Sequence, residues 1–405
     1  VQVTDNNRTE KRNRASLVVV YATVFLDLVG FGIIIPVLPF LARAFGASGF
    51  WIGVLLTAYS AAQFLAAPVL GRLSDRHGRR PVLLLTLLGS TLSYLVMGLA
   101  GSLAMLIAAR LLAGLFGGSI AAAQAYIADV TAPEERSKFM GILGAAIGMG
   151  FVVGPAIGAL SSSYGASVPA YVASALCAVN LAFAFLRLKE TRTAAERSRS
   201  GAPHLSLTHL FQALQRPALS RVLIASFLLM LGLVAMESTF ALLGADKFQL
   251  DAAGLGYVFT FVGIVMALVQ GGLVGRLSKK HGELKPALVG AIIFAAALAG
   301  LPYMPGLGSE IVLMGAVAFG WGLANPTVNT LVSRAAAADE QGGVLGLNQS
   351  AGALARAVGP LIAGALYDQS MYWPYVLAGA AAVVAAGFLT RLGTSGDGRL
   401  ATARI

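Results

Sequence analysis

The sequence predicts an all-α polytopic membrane protein: twelve transmembrane helices in two pseudo-symmetric six-helix bundles. Three observations predict it. Of the 405 residues, 57% are hydrophobic and 12% charged, roughly half the charge of an average soluble domain. Apolar runs of about 20 residues, long enough to cross a bilayer as helices, recur along the chain. Two short segments also reappear half a chain later. A water-soluble enzyme of this length would lack the polar side chains to cover itself.

The apolar runs lie at 17–40, 51–71, 81–100, 103–128, 138–160, 168–187, 219–244, 254–275, 286–303, 309–333, 343–367 and 373–391. The first exceeds the length of a leader's apolar region and lacks an A-x-A site, so it reads as a span. Very short turns, Ala100-Gly101-Ser102 and Pro302 to Gly308, join the third to the fourth run and the ninth to the tenth. Lys and Arg placement sets the orientation. With the N-terminus inside, 25 of the 29 cations fall on the inside, two (Arg43, Lys247) outside and two (Arg110, Arg356) within spans. The expectation is a multi-pass protein of the inner cell membrane with both termini cytoplasmic. Residues 188–216 form the one long polar segment inside the chain. They separate an N-terminal bundle with its tail (1–187) from a C-terminal bundle with its tail (217–405), as a cytoplasmic linker.

Several chemistries are excluded. One cysteine, Cys177, allows no disulfide framework, and the four histidines form no HExxH or comparable metal set. No cofactor loop, phosphate loop or nucleophile–base set occurs, so neither an enzyme nor a self-contained ATP-driven pump is expected. The net charge of +11 sits between apolar runs, as cytoplasmic loop charge does, and does not describe a nucleic-acid surface. Glycine, 48 of 405 residues, suits closely packed membrane helices.

The repeat is specific. Gly71-Arg72-Leu73-Ser74-Asp75-Arg76-His77-Gly78 matches Gly275 to Gly282 at six of eight positions, offset by 204. VGPAIGAL at 153–160 matches VGPLIAGAL at 358–366 at an offset of 205. Duplicated halves around a midplane site are a transporter architecture.

At these residues the sequence resembles the major facilitator superfamily, and within it the twelve-span drug:proton antiporters of the tetracycline-efflux branch. Leu26-Asp27-Leu28-Val29-Gly30-Phe31-Gly32 through Pro36-Val37-Leu38-Pro39 is similar to that branch's first span. Gly71, Asp75, Arg76, Gly78, Arg79 and Arg80 reproduce the superfamily's loop between spans two and three. Gly148 to Gly158, ending Gly154-Pro155-xx-Gly158, resembles the antiporter motif of span five. The resemblance implies a latch of Asp75 and Arg79 with Asp129, and a span-five bend that packs on the other bundle. The bland alternatives are a solvated positive loop and generic small-residue packing. The repeat copy has Lys279 in place of Asp75. The branch's acids in spans three and nine are absent: Ser93 occupies the first position, and 286–303 contains no acid.

Charges within spans are the sharpest signal. Asp27, Arg110, Glu237 and Arg356 lie inside apolar runs, where each costs ~2.5–3.5 kcal/mol on the translocon scale. Opposite signs fall within each half, Asp27 with Arg110 and Glu237 with Arg356, so each pair can neutralise itself. A buried carboxylate can also exchange a proton near neutral pH, because desolvation raises its pKa and a nearby guanidinium lowers it. Competition between proton and cargo at such a group is the simplest antiport mechanism. Arg110-Leu111-Leu112-Ala113-Gly114 resembles the superfamily's fourth-span proton-coupling motif. The alternative is structural ion pairing, and Arg356 beside Gly359-Pro360 fits it. Tyr59, Gln63, Gln124, Phe240, Trp321, Asn325, Asn329 and Gln349 are candidates to line the central cavity the resemblance implies. Isolated polar residues in spans also serve as interhelical hydrogen bonds.

The reading is a proton-coupled antiporter exporting small amphipathic drugs or metabolites by alternating access. Its expected partners are a small-molecule substrate, protons and the lipid bilayer, with no nucleic acid, and it is expected to act as a monomer. The alternatives are a nutrient symporter or uniporter, and a non-transporting sensor of the same fold.

Overall fold

The computed structural model of the chain describes residues 2–131, 133–188, 190, 215–336 and 341–394. Most of the expected linker and the C-terminal tail beyond 394 lie outside the described residues. Among the described residues there are helices and turns but no strand. Inside hydrocarbon each backbone polar group must be satisfied within its own segment, which a helix achieves.

The helices are α1 (Gln2–Ala44), α2 (Gly49–His77), α3 (Arg79–Gly98), α4 (Leu103–Leu115), α5 (Ser119–Val130), α6 (Pro133–Ser162) and α7 (Val168–Arg187). They continue with α8 (Pro217–Phe248), α9 (Ala252–Leu268), α10 (Val274–His281), α11 (Leu284–Gly300), α12 (Leu307–Ala335), α13 (Gln341–Gln369) and α14 (Trp373–Thr394). A π turn, Val269–Leu273, runs α9 into α10. Among the described residues, ten helices are long and apolar enough to cross a membrane, with α9, the π turn and α10 counted as one. Large apolar side chains such as Leu186, Leu268, Val312 and Val383 stand exposed, as suits faces solvated by acyl chains.

Two expected runs are not among those ten. The run 103–128 breaks at Phe116-Gly117-Gly118 into α4 and α5. The run 343–367 falls in α13, whose Asn348, Gln349, Ser350 and Arg356 make it more polar. The expected 71–80 loop is almost wholly helical. α2 continues to His77, α3 starts at Arg79, and Gly78 alone separates them at φ 106. Only glycine adopts such an angle without strain. Its repeat equivalent, Gly282, ends α10 at φ 71, so the duplication is visible in the backbone.

The chain divides into two compact units. Unit 1 is Val1–Phe45, Ala58–Ala202 and Ala252–Thr260; unit 2 is Gly46–Thr57, Pro203–Asp251 and Phe261–Ile405. The first turns of α2 thus belong to unit 2, and those of α9 to unit 1. Each is seated by a glycine on a motif proline. In unit 2 a Cβ at Gly53 would overlap the Pro360 carbonyl. In unit 1 a Cβ at Gly256 would stand 2.7 Å from the Pro155 carbonyl oxygen. In unit 2 the Asp368 carboxylate also accepts the Gly49 and Phe50 N–H groups at 2.7 and 2.9 Å. It caps α2 from another helix, as a side chain at an N-cap does.

Candidate functional site

In unit 1, glycine spacing sets the position of the first acid. Gly150, Gly154 and Gly158 recur every fourth residue on one face of α6, against Leu28, Gly32 and Ile33 of α1. A Cβ at Gly154 would stand 2.7 Å from both Gly32 Cα and the Val29 carbonyl oxygen. Such approach is open only to residues without side chains. The glycine face of the span-five motif therefore packs on α1 within unit 1. The Pro155 carbonyl and Ala159 meet Gly256 of α9.

Asp27 lies half-buried beside this seam. The Ser119 hydroxyl donates to its Oδ2, and Ser90 of α3 also bonds the carboxylate. Both serines are buried. Ser119 can reach Asp27 because the break after Leu115 makes it the first residue of α5. The sequence reading missed both; the Gly117-Gly118 pair was the available signal for Ser119. The expected pairing of Asp27 with Arg110 is not formed. Gly114 lets α4 approach the Tyr59 backbone of α2. One turn earlier, the buried Arg110 guanidinium lies over the Tyr59 ring, 4.4 Å from its centroid, a cation–π arrangement. Phe31, one turn after Asp27, packs on Tyr59 and Phe151 at 5.3 and 6.0 Å between centroids. An acid, two hydroxyls and three aromatic rings thus converge in unit 1.

Gln63 serves the helix break. Its Nε2 donates to the freed Gly117 carbonyl at 2.5 Å and to the Tyr59 hydroxyl at 3.2 Å. Gln124 is exposed on α5. Ser93 is buried and spends its hydroxyl on the Gly89 carbonyl of its own helix, at 2.6 Å.

Unit 2 treats its acid differently. Glu237 of α8 and Arg356 of α13 interact electrostatically. The guanidinium also reaches the Met230 sulfur at 3.8 Å. Asn348 donates to Asn329 at 2.6 Å, and Asn329 to Asn325 at 3.3 Å, making an amide ladder between α13 and α12. Asn348, buried, was not foreseen; the neighbouring Gln349, which was, is exposed. Phe240 and Trp321, expected on the cavity wall, are core residues here. Phe240 is fully buried, and Trp321 packs on Phe294 at 5.6 Å between centroids. Their bulk is apolar, and packing removes it from the surface.

The signature motif forms a compact ion cluster in unit 1. Arg79, buried at the start of α3, donates to Asp75 at 2.8 Å, Asp129 at 2.9 Å and Ser74 at 3.1 Å. The cluster ties α2, α3 and α5 together. Glu190 accepts the Arg79 and Arg80 N–H groups at 2.9 and 3.2 Å and so caps α3. A Cβ at Gly78 would collide with that carboxylate, a second reason for glycine there. Gly71 and Arg76 are exposed.

Comparison with known proteins follows this geometry. A family model described as Major Facilitator Superfamily matches residues 20–360. The chain is 33% identical over 363 residues to the class C tetracycline resistance protein of Escherichia coli, covering 89% of this chain and 91% of that one. It is 30% identical over 375 residues to multidrug resistance protein 2 of Bacillus subtilis, covering 91% and 93%. It superposes on the crystal structure of the human organic anion transporter MFSD10 with a TM-score of 0.70 at 26% identity, covering 93% of this chain and 99% of that one.

Proposed function

The chain belongs to the Major Facilitator Superfamily, and from that premise we propose that it is a proton-coupled antiporter. It exports small amphipathic drugs or metabolites by alternating access. It works as a monomer in the inner cell membrane with both termini cytoplasmic.

The observation that carries this reading is Asp27 held by hydroxyls. A hydroxyl both donates and accepts. Ser119 and Ser90 can therefore serve the ionised carboxylate as donors and the protonated acid as acceptors. Neither protonation state leaves a buried group unpartnered, so the acid can cycle between them. A guanidinium in the same place would favour the charged form alone. The rings of Phe31, Tyr59 and Phe151 offer an apolar surface beside the acid, which suits an amphipathic cargo. Relatives named for tetracycline and multidrug resistance support export of that class. Gln63, Gln124, Asn325, Asn329 and Gln349 add polar contacts, Arg110 and the Glu237–Arg356 pair shape the field of the pathway, and the Asp75–Arg79–Asp129 cluster acts as a latch.

The driving force suffices. A proton crossing 100 mV yields ~2.3 kcal/mol, and one pH unit adds ~1.4 kcal/mol. Together they support a gradient on the order of several hundredfold per proton.

The test uses inside-out membrane vesicles carrying the full chain and energised to an acid interior, with tetracycline and a cationic dye as probes. Added probe is expected to release lumenal protons while the probe accumulates, and a protonophore is expected to abolish both. Accumulation that persists after the proton gradient is collapsed, with no proton release, overturns antiport.

A further inference from the structure

A third acid is enclosed in the helices, and the mechanism above does not use it. Glu310 stands in the first turn of α12 and is 1% exposed. Neither carboxylate oxygen has a hydrogen-bond partner. The groups facing it come from several elements of unit 2. Lys247, at the end of α8, acts on it electrostatically, but the ammonium donates to the Pro302 carbonyl at 2.7 Å. Tyr375 of α14, fully buried beside Thr239 of α8, lies within its electrostatic reach. Next to Tyr375, Tyr367 of α13 gives its hydroxyl to Asp246 of α8 at 2.8 Å.

The chemistry of this pocket is one-sided. An ionised carboxylate needs donors, and here the Lys247 ammonium bonds the Pro302 carbonyl, the Tyr367 hydroxyl bonds Asp246, and the buried Tyr375 hydroxyl makes no hydrogen bond to it. Burying a charge without hydrogen bonds is among the most costly arrangements in a protein. The α12 dipole favours negative charge at this position, but a dipole effect at a helix start is the smaller of the two. Adding one proton removes the charge and leaves a neutral acid, which the apolar surroundings tolerate. The nearby ammonium then decides how readily the proton leaves.

We propose that Glu310 is a proton-binding site of unit 2, distinct from Asp27 and Glu237, with Lys247 as the group that tunes its release. The step is a simple dissociation: the carboxyl O–H bond breaks, the electron pair stays on the carboxylate, and the proton passes to water. Its use in transport rests on the proton-coupled reading above; the site itself does not.

The test is infrared difference spectroscopy of the purified full chain in lipid, titrated from acid to alkaline pH. The expected result is a protonated-carboxyl C=O band at neutral pH that is lost on alkalinisation. It is missing from Glu310→Gln and retained in the Asp27→Asn/Glu237→Gln double variant. Lys247→Met is expected to keep the band to higher pH, because a neighbouring cation favours the ionised form, and this arm remains decisive where Glu310→Gln does not fold. A folded Glu310→Gln protein with the wild-type band, or a double variant without it, overturns the proposal. So does a Lys247→Met titration identical to the wild type. Failure of the antiport reading is seen separately, as absent proton flux in the vesicles with the Glu310 band intact.

Discussion

Unit 1 and unit 2 each enclose an acid on a long helix, but they partner it differently. Asp27 is bonded by two serine hydroxyls, and the arginine of its half lies over a tyrosine ring. Glu237 faces Arg356. Hydroxyls accommodate either protonation state, whereas a guanidinium rewards only the charged one. On the proposed antiport reading, the difference suits Asp27 to proton exchange and the Glu237–Arg356 pair to a charge held in place. Two halves that share repeated segments thus differ in how they partner a charge.

The largest effect expected from this contrast is on flux. Asp27→Asn preserves the shape of the site and removes its titration, so probe-driven proton release in vesicles falls to background. Glu237→Gln retains a measurable fraction. Equal loss in both variants breaks the comparison.

Stability supplies the next test. Arg356→Met alone leaves Glu237 uncompensated and costs up to ~3–5 kcal/mol, less the share that half-burial screens. Glu237→Gln together with Arg356→Met recovers most of it, read from denaturant unfolding in micelles. A double variant as unstable as the single one shows that the pair is not a self-contained unit.

A smaller change probes the hydroxyls. Ser119→Ala removes a donor to a charged group, worth about 1.5–3 kcal/mol. Exchange is expected to persist with its pH profile moved upward, because the ionised form loses support. An unmoved profile means Ser119 is packing and not part of the proton site.

The smallest effect separates two glycines of one helix. Gly154→Leu wedges α6 from α1 and costs ~1–3 kcal/mol. Gly148→Leu, where a Cβ meets nothing, stays within about ±0.5 kcal/mol. Similar melting of the two variants would remove the seam from the account of how Asp27 is positioned.

Much of this was legible in the sequence. The apolar runs, the duplicated segments and Asp27 itself stand out because charge is scarce inside apolar runs. The signature motif was legible as residues but not as structure, since one glycine at φ 106 separates two helices where a loop was expected. Ser119 and Ser90 were not legible, because a serine in a span has no signal until its neighbour is known. Glu310 escaped for another reason: it falls at the edge of its apolar run, where an acid reads as interfacial. Phe240 and Trp321 were placed on a cavity wall by their chemistry, but aromatic bulk serves a core equally well.

The sequence by itself determined the solvent, the helical class and the duplication. Hydropathy and repetition are properties of the chain read in order, and a bilayer admits few solutions to a chain this apolar. Tertiary structure alone decided the partners of each charge. Those depend on which helix faces which and how closely glycine lets them approach. That is why Arg110 turns to Tyr59, Asp27 to serine and Glu237 to Arg356.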